Sequence, residues 1–505
     1  MFQLNADCLF EIFRCLEGNK ATLHSCLLVN RFWCKISVRI LWETPDVSAK
    51  LLNTLISCLP DESKNILHNN GIIFPNLNSL CPPGDHLFKK EVTLASTSKP
   101  PSFNYASFCK VLSISKIYYS VAETFLNNRL SINTKEIINL TQEILKLFMN
   151  VSSLKHLSYT SDDDHSPVNI KTPTNITFVH FPGAEHCLTY LSEFACTSNI
   201  NSGILNQLSK ICHNIQSLNI KFNKYADNAD RVSDGLKNLI SSQNNLKSLS
   251  LTYYNETNCW VDIIPSVTMH SDTLTKLSIK SVENHWPISF IKDFKNLREL
   301  DISLIYLSKD DAYSDFGHFE DLQHFIFPYL KRFNINLPTK VEPIVIKFLE
   351  NNGENLEEFQ CKSKCKNNST KTVNFAVNKH CPRLKSLHTT FYERLSGISL
   401  KLIFMNCKEL ESIEILRRGT SLSGKELLEV IAQHSPKNFH ELKLHNFYEE
   451  IDHEDLESFF ISWKKRSPRK LFTLIFKDVC PETNNEKEGI IRKYEKEGLT
   501  EILRI

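Results

Sequence analysis

The sequence predicts an α/β protein: a short N-terminal three-helix bundle followed by a solenoid, with parallel strands on its concave side and helices on its convex side. Three observations predict it. A Leu-x-x-Leu-x-Leu core recurs in register around twelve times after residue 150. Segments with apolar residues three and four apart separate the copies. The first 45 residues hold three short amphipathic stretches that do not follow the repeat. The expected division is therefore 1–45 for the bundle, 46–150 for a helical adaptor with room for one or two degenerate repeats, and 151–505 for the solenoid.

In the first stretch Leu9, Ile12, Phe13 and Leu16 recur at three and four, so one face of a first helix is apolar. Asn5 stands where it can cap that helix, Asp7 lies in its first turn, and Gly18 and Asn19 end it. A second apolar set, Leu23, Cys26, Leu27 and Asn30, merges into a third built on Trp33, Ile36 and Ile40. Three short helices in so few residues bury little surface and are marginal alone. A bundle that still exposes Phe2, Leu4, Phe10 or Phe32 gains most by laying that surface on a partner helix. The plainer alternative is a cap for the neighbouring repeats.

The order Leu4-x-x-Asp7-x-Leu9-x-x-Ile12-Phe13-x-x-Leu16, then Leu23-x-x-Cys26-x-x-Val29-x-Arg31-x-Trp33, then Leu41-Trp42 resembles the F-box family across nearly its whole motif. That resemblance implies docking on the S-phase-kinase-associated (Skp-type) adaptor of a cullin-RING ubiquitin ligase. Carried over position by position, it places the adaptor contacts at Leu4, Leu9, Ile12, Phe13, Leu16, Leu27, Val29 and Trp33. The family usually has proline directly after the first leucine. This chain has Asn5, which leaves the helix start viable and bears on affinity.

In residues 46–150, Leu51, Leu52, Leu55, Ile56 and Leu59 space as a helix, and Phe74-Pro-Asn-Leu77-Asn-Ser-Leu80 reads as a degenerate first strand. Residues 96–102 form a polar, proline-bearing loop. Thr134–Met149 reads as a helix with Ile137, Ile138, Leu140, Ile144, Leu145 and Phe148 inward.

The repeat core begins at Leu154, Ile215, Leu246, Leu274, Leu297, Leu330, Leu356, Leu384, Leu410, Phe439 and Leu471, with a weaker copy from Leu188-Thr-Tyr-Leu191. Spacings run from about 23 to about 34 residues, near the upper end of the range for such repeats. Between copies lie helical sets such as Ile204, Leu205, Leu208 and Ile211, or Leu427, Leu428, Val430 and Ile431. One strand-turn-helix unit cannot bury its apolar face, so neighbours must stack. The pattern resembles the leucine-rich-repeat superfamily, and specifically its F-box-linked branch.

Composition sets the outer limits. A hydrophobic share of 41% suffices for a continuous core, and 59 basic against 57 acidic residues leave no overall field for nucleic acid or an anionic membrane. No apolar stretch approaches the roughly 20 residues a membrane helix needs, and no basic start followed by an apolar core marks a leader. The expectation is a soluble chain of the cytoplasm, the nucleus or both. Its 16 cysteines are scattered and read as reduced thiols. Cys212, Cys381 and Cys407 each stand three residues before a repeat strand, which implies one shared packing role.

Several motifs invite chemistry. Gly419-Thr-Ser-Leu-Ser-Gly424-Lys425 approaches a phosphate-binding loop, but Glu426 stands where Ser or Thr must hold magnesium and would repel phosphate. Cys361, Cys365, His380 and Cys381 offer four zinc ligands, yet repeat positions already explain two of them. Asp162-Asp-Asp-His165 reads as a solvated acidic loop, and Lys464-Lys-Arg-Ser-Pro-Arg-Lys470 as a charge cluster at a helix end. No catalytic residue, metal or cofactor is expected, and 13 glycines are few for tight catalytic loops.

The natural target surface is the concave sheet, where side chains flanking each inward leucine face outward. Lys276, Lys280, Glu299, Asp301, Arg332, Asn334, Glu358, His388 and Lys443 are the candidate contacts, within longer sets that include Ser278, Ser303 and Thr390. Mixed charge there suits a protein target better than nucleic acid. The expected role is the substrate-recognition subunit of an SCF-type ubiquitin ligase, without bond chemistry of its own. The alternative is a non-ligase leucine-rich-repeat scaffold whose F-box-like bundle serves as a cap.

Overall fold

Asparagine starts each helix of the N-terminal bundle. Its short side chain leaves the helical path and takes up an orphan N–H: Asn5 accepts from Cys8 at 2.7 Å, Asn19 from Thr22 at 3.1 Å and Asn30 from Trp33 at 2.8 Å. The helices are α1 (Ala6–Arg14), α2 (Lys20–Cys26) and α3 (Arg31–Glu43). Asn19 thus begins the second helix rather than ending the first, because its oxygen has an N–H three residues ahead to bind. Leu9, Phe13, Leu23, Cys26, Ile36 and Ile40 close the bundle core, and the Phe13 ring meets Trp33 edge-on at 5.0 Å.

The computed structural model describes residues 5–45, 48–73, 92–93, 101–127, 134–160, 173, 176–222, 229–253, 258–281, 288–304, 317–337, 342–363, 369–391, 396–417, 423–447, 451–466, 470–477 and 485–504. Leu4, the expected strand at 74–80 and the acidic loop at 162–165 lie outside the described residues, as does Cys365. The chain divides into two compact units, residues 1–246 with 257–267 and residues 247–256 with 268–505.

In the first unit α4 (Ala49–Cys58) and α5 (Asp61–Asn69) follow the bundle, then a short parallel pair β1 (Ile72–Ile73) and β2 (Val92–Thr93). The repeat begins at β3 (Val111–Ser113), with α6 (Ile114–Asn127) and α7 (Thr134–Val151) behind it. It continues through β4 (His156–Tyr159), α8 (Ala184–Leu188), β5 (Glu193–Thr197), α9 (Ser202–Ile211), β6 (Ser217–Phe222) and α10 (Ala229–Ser241). Strands β3 to β6 lie side by side in chain order, all parallel.

The second unit repeats the arrangement. Its strands are β7 (Ser248–Tyr253), β8 (Lys276–Ser281), β9 (Glu299–Leu304), β10 (Arg332–Leu337), β11 (Glu358–Ser363), β12 (Ser386–Phe391), β13 (Ser412–Arg417), β14 (Glu441–His445), β15 (Phe472–Lys477) and β16 (Thr500–Arg504). They too are parallel and in chain order. A short α11 (Ile264–Thr268) follows β7 in sequence but belongs to the first unit up to residue 267, and the helices of the second unit are α12 (Glu342–Asn352), α13 (Ser369–His380), α14 (Ser396–Asn406), α15 (Gly424–His434), α16 (His453–Lys464) and α17 (Asn485–Lys496). This is the α/β leucine-rich-repeat architecture, strands in one layer and helices in the other.

Stacking is backbone work as well as apolar burial. Through most of the repeats the carbonyl of the residue before a strand accepts two successive N–H groups from the next repeat: Arg298 accepts Lys331 and Arg332, both at 2.9 Å, and Lys331 accepts Glu357 at 2.8 Å and Glu358 at 2.9 Å. Leu249, Leu277, Leu300, Leu387 and Leu442 are all buried, each contributing about 1.5–3 kcal/mol by leaving water. The three pre-strand cysteines are all fully buried, and two of them make the same hydrogen bond. Cys212 Sγ donates to Leu188 O and Cys407 Sγ to Cys381 O, each at 3.3 Å and each into the preceding repeat.

The structure departs from the sequence reading in four places. The strand near Leu188 starts later, at Glu193, because Leu191, Phe194 and Cys196 carry the inward positions. The copy at β3 escapes the reading because its inward positions, Cys109, Leu112 and Ile114, open on a cysteine where the pattern has leucine. Strand β16 carries only the first half of the core, Leu499-Thr-Glu-Ile502. Between Leu274 and Leu297 a 3-10 turn at Ile288–Asp293 stands in place of the α-helix, and another at Gly317–His324 does so before Leu330.

Candidate protein-interaction site

Two surfaces carry the sequence-predicted residues, one in each unit. On the bundle, Leu9 and Phe13 are 3% and 2% exposed and belong to its closed core. Leu16 and Trp33 pack partly against that core, and Leu27 is half-buried. Ile12 and Val29, by contrast, are 49% and 56% exposed. The most exposed of all is Leu28, at 87%, which the expected contact set omits. Its signal was present in the run Leu27-Leu28-Val29: three consecutive apolar residues cannot all face one core.

The other end of the bundle is occupied. Glu43 O accepts the Lys110 N–H at 2.9 Å, and Lys110 O in turn accepts Lys155 at 2.8 Å and His156 at 3.0 Å. The end of α3 therefore takes the place of a preceding repeat for β3. The Trp42 ring sits 4.5 Å from Tyr105 at the same junction.

In the second unit the open face of the sheet brings nearly all the expected target contacts together. Strand register lines up Lys276, Glu299, Arg332 and Glu358 in one row and Ser278, Asp301, Asn334, Gln360 and His388 in the next. Charges alternate and pair: Lys276 with Glu299 at 3.0 Å, Arg332 with Glu299 and, at 3.5 Å, with Glu358, and Lys280 with Asp301 at 3.7 Å. Burial acts to raise the Glu299 carboxyl, but hydrogen bonds from Arg332 and Lys276 outweigh it and hold the group below its usual range.

Farther along, Glu414 gathers three partners: His388 Nδ1 at 3.3 Å, His445 Nε2 at 2.7 Å and Lys477 Nζ at 2.9 Å. Burial again opposes ionisation of Glu414, and the three hydrogen bonds overcome it, holding the carboxyl well below its ordinary value. His388 and Glu414 line a cavity of about 420 Å³ together with Asn334 and the paired charges of the earlier strands. Asn334 Oδ1 is buried without a hydrogen-bond partner among the described residues.

Not every outward strand position reaches solvent. His388, Ser278, Ser303 and Thr390 are buried; Asp301 accepts from both serines, and Glu414 pairs with His388. His388 therefore positions Glu414 and is not itself an exposed contact. Lys443 is tied to Glu441 at 2.8 Å on its own strand.

No family model matches the sequence, and no curated protein matches it. Among solved structures, the chain is similar to that of a Rad7 and Elc1 complex in yeast, at 14% identity and a TM-score of 0.41, covering 63% of this chain and 76% of that one. It is also similar to the leucine-rich repeat-containing protein LegL7 from Legionella pneumophila, at 13% identity and a TM-score of 0.35, covering 63% and 93%.

The chemistry-bearing motifs resolve into structural roles where they are described. Ser423 caps α15 by accepting from Glu426 N at 3.1 Å, so its oxygen holds the place a phosphate would take. Arg466, from the basic cluster, donates to Ser435 O at 2.7 Å and Pro436 O at 2.8 Å and lies 4.3 Å over the Trp463 ring. Lys464 pairs with Glu497 at 2.9 Å. Among the described residues no cluster of His, Cys, Asp or Glu is arranged to hold a metal ion, and no helix is long and apolar enough to cross a membrane.

Proposed function

We propose that this chain is the substrate-recognition subunit of an SCF-type E3 ubiquitin ligase, with the N-terminal bundle as its F-box and the open sheet face of the second unit as its target-binding surface. One observation carries the reading. The bundle's core is closed by its own residues, yet Ile12, Leu28 and Val29 remain exposed within the F-box-like motif, surface that a Skp-type adaptor helix would cover. The mixed charges of the sheet face and the unpaired Asn334 acceptor suit a polar protein target, whose donor would relieve about 1–3 kcal/mol of unsatisfied burial. In this reading ubiquitin transfer belongs to the cullin-RING core, the chain performs no bond chemistry, and it works in the cytoplasm, the nucleus or both.

The capped junction at Glu43 and Lys110 favours a second reading, a leucine-rich-repeat scaffold outside any ligase whose bundle serves only to close the first unit. Co-purification of the full chain with the Skp-type adaptor separates the two. Ile12→Glu, Leu28→Glu and Val29→Glu change exposed positions and should leave folding intact while abolishing adaptor capture. Failure of the folded wild-type chain to capture adaptor would sink the ligase reading and leave the scaffold.

A further inference from the structure

The residues that enter successive strands make a second row, along the edge of the sheet rather than on its face. Arg298, Lys331, Glu357 and Lys385 occupy equivalent positions before β9 to β12, tied together by their backbone hydrogen bonds. Glu357 bridges its two neighbours, accepting from Lys331 Nζ at 2.6 Å and Lys385 Nζ at 2.9 Å. Those two hydrogen bonds bring its carboxyl down to about 2. Arg298 has no side-chain partner among the described residues, and Arg383 has only Asn355 Oδ1, at 3.2 Å. Lys331 and Lys385 are thus matched by the shared Glu357, with Glu409 and Glu411 also acting on Lys385, while the two arginines beside them meet no carboxylate among the described residues.

The loop beside this row is built to hold its shape. Buried Asn352 accepts from Phe327 N at 2.7 Å and donates to Phe325 O at 2.9 Å and Phe348 O at 3.0 Å. Pinned so, the loop turns Ile326 and Tyr329 outward, each 56% exposed. A cavity of about 370 Å³ opens between Arg298, Tyr329, Lys331 and Arg383. An exposed tyrosine between arginines is the composition at which protein interfaces concentrate their binding energy.

We propose that this strand-entry edge is a second docking site, separate from the open sheet face, and that its occupant is an acidic segment of a protein partner. Charge decides the class of ligand. On the open face most cations are already matched by a neighbouring carboxylate, whereas here the guanidinium groups are left to fork onto an incoming carboxylate or phosphate. Spacing decides the form. Three strand separations, roughly 14 Å, divide the entries of β9 and β12, a distance an extended peptide covers in about four residues. Glu357 and Glu411 interrupt the row, which a continuous nucleic-acid backbone would not tolerate. The site does not depend on adaptor docking by the bundle.

Fluorescence anisotropy of the full chain tests it, using a labelled short peptide with two glutamates about four residues apart, its phosphoserine and glutamine counterparts, and a single-stranded oligonucleotide. The acidic peptides should bind and the glutamine one should not, and the stronger of the first two identifies carboxylate or phosphate as the natural group. Arg298→Glu with Arg383→Glu should weaken binding roughly tenfold or more, with Tyr329→Ala weakening it less and the exposed Lys437→Ala leaving it unchanged. Arg298→Gln with Arg383→Gln gives the same reading without charge reversal. Equal binding by wild type and the arginine variants, tighter binding of the oligonucleotide, or no binding of either acidic peptide would overturn the proposal.

Discussion

Ile12 and Phe13 are neighbours in sequence with opposite surroundings. Phe13 is enclosed against Trp33, so Phe13→Ala should cost about 3–5 kcal/mol through loss of burial and the cavity left behind. Ile12 faces outward, and Ile12→Ala should stay within about 0.5 kcal/mol. Urea unfolding of the two variants, followed at Trp33 and its neighbours by fluorescence, checks both values. Helical spacing put both residues on one apolar stripe but could not divide the stripe between its own core and a partner, since each asks for the same chemistry. A single carboxylate gives the pH prediction. Glu299 is held below its ordinary value of 4.5, so its contribution is present in full above that pH and is lost as pH falls below it through the folded-state value. Wild type should therefore lose melting temperature between pH 5 and pH 3 more steeply than Glu299→Gln. Equal slopes would show that the Arg332 and Lys276 contacts carry no stability.

At the scale of the element, contact between repeats is set by what fits between them. A Cβ on Gly353 would stand 2.6 Å from His380 O and 3.0 Å from Cys381 Sγ, backbone and core of the following repeat. Gly353→Ala should then destabilise the second unit by about 1–3 kcal/mol, since neither neighbour can swing away. Gly489, within α17, meets nothing within 4 Å, so Gly489→Ala should raise stability by up to about 1 kcal/mol through helix propensity. Thermal melts followed by circular dichroism distinguish the two, and a loss in both would mean that α17 is not a free-standing helical surface at this point. The elements were legible wherever two inward residues alternated with polar ones, as in Leu277-Ser278-Ile279. They were not where a cysteine opens the core, as at Cys109 before β3, or where a 3-10 turn stands in place of the α-helix.

For the molecule as a whole, the bundle closes the first unit as well as presenting apolar surface. Removing residues 1–45 strips the Lys110 N–H of its Glu43 acceptor and Tyr105 of the Trp42 ring. The first parallel strand would then offer unpaired backbone groups to other chains. The truncated chain is expected to melt earlier and to self-associate, as light scattering coupled to size-exclusion chromatography would report. A monomeric truncation with unchanged melting would confine the bundle to partner binding.

The sequence by itself determined the α/β class, the repeat and the buried leucines, because inward positions recur at fixed local offsets and apolar burial dominates the energy. Tertiary structure decided which polar strand residues reach solvent, which carboxylate each cation meets and which arginine is left without one. Those choices are made between residues of adjacent repeats: Glu357 meets Lys331 26 positions away, and Glu414 meets His445 31 positions away. Local spacing carries no information about such pairs. They exist only once stacking has brought the strands to within about 5 Å of one another.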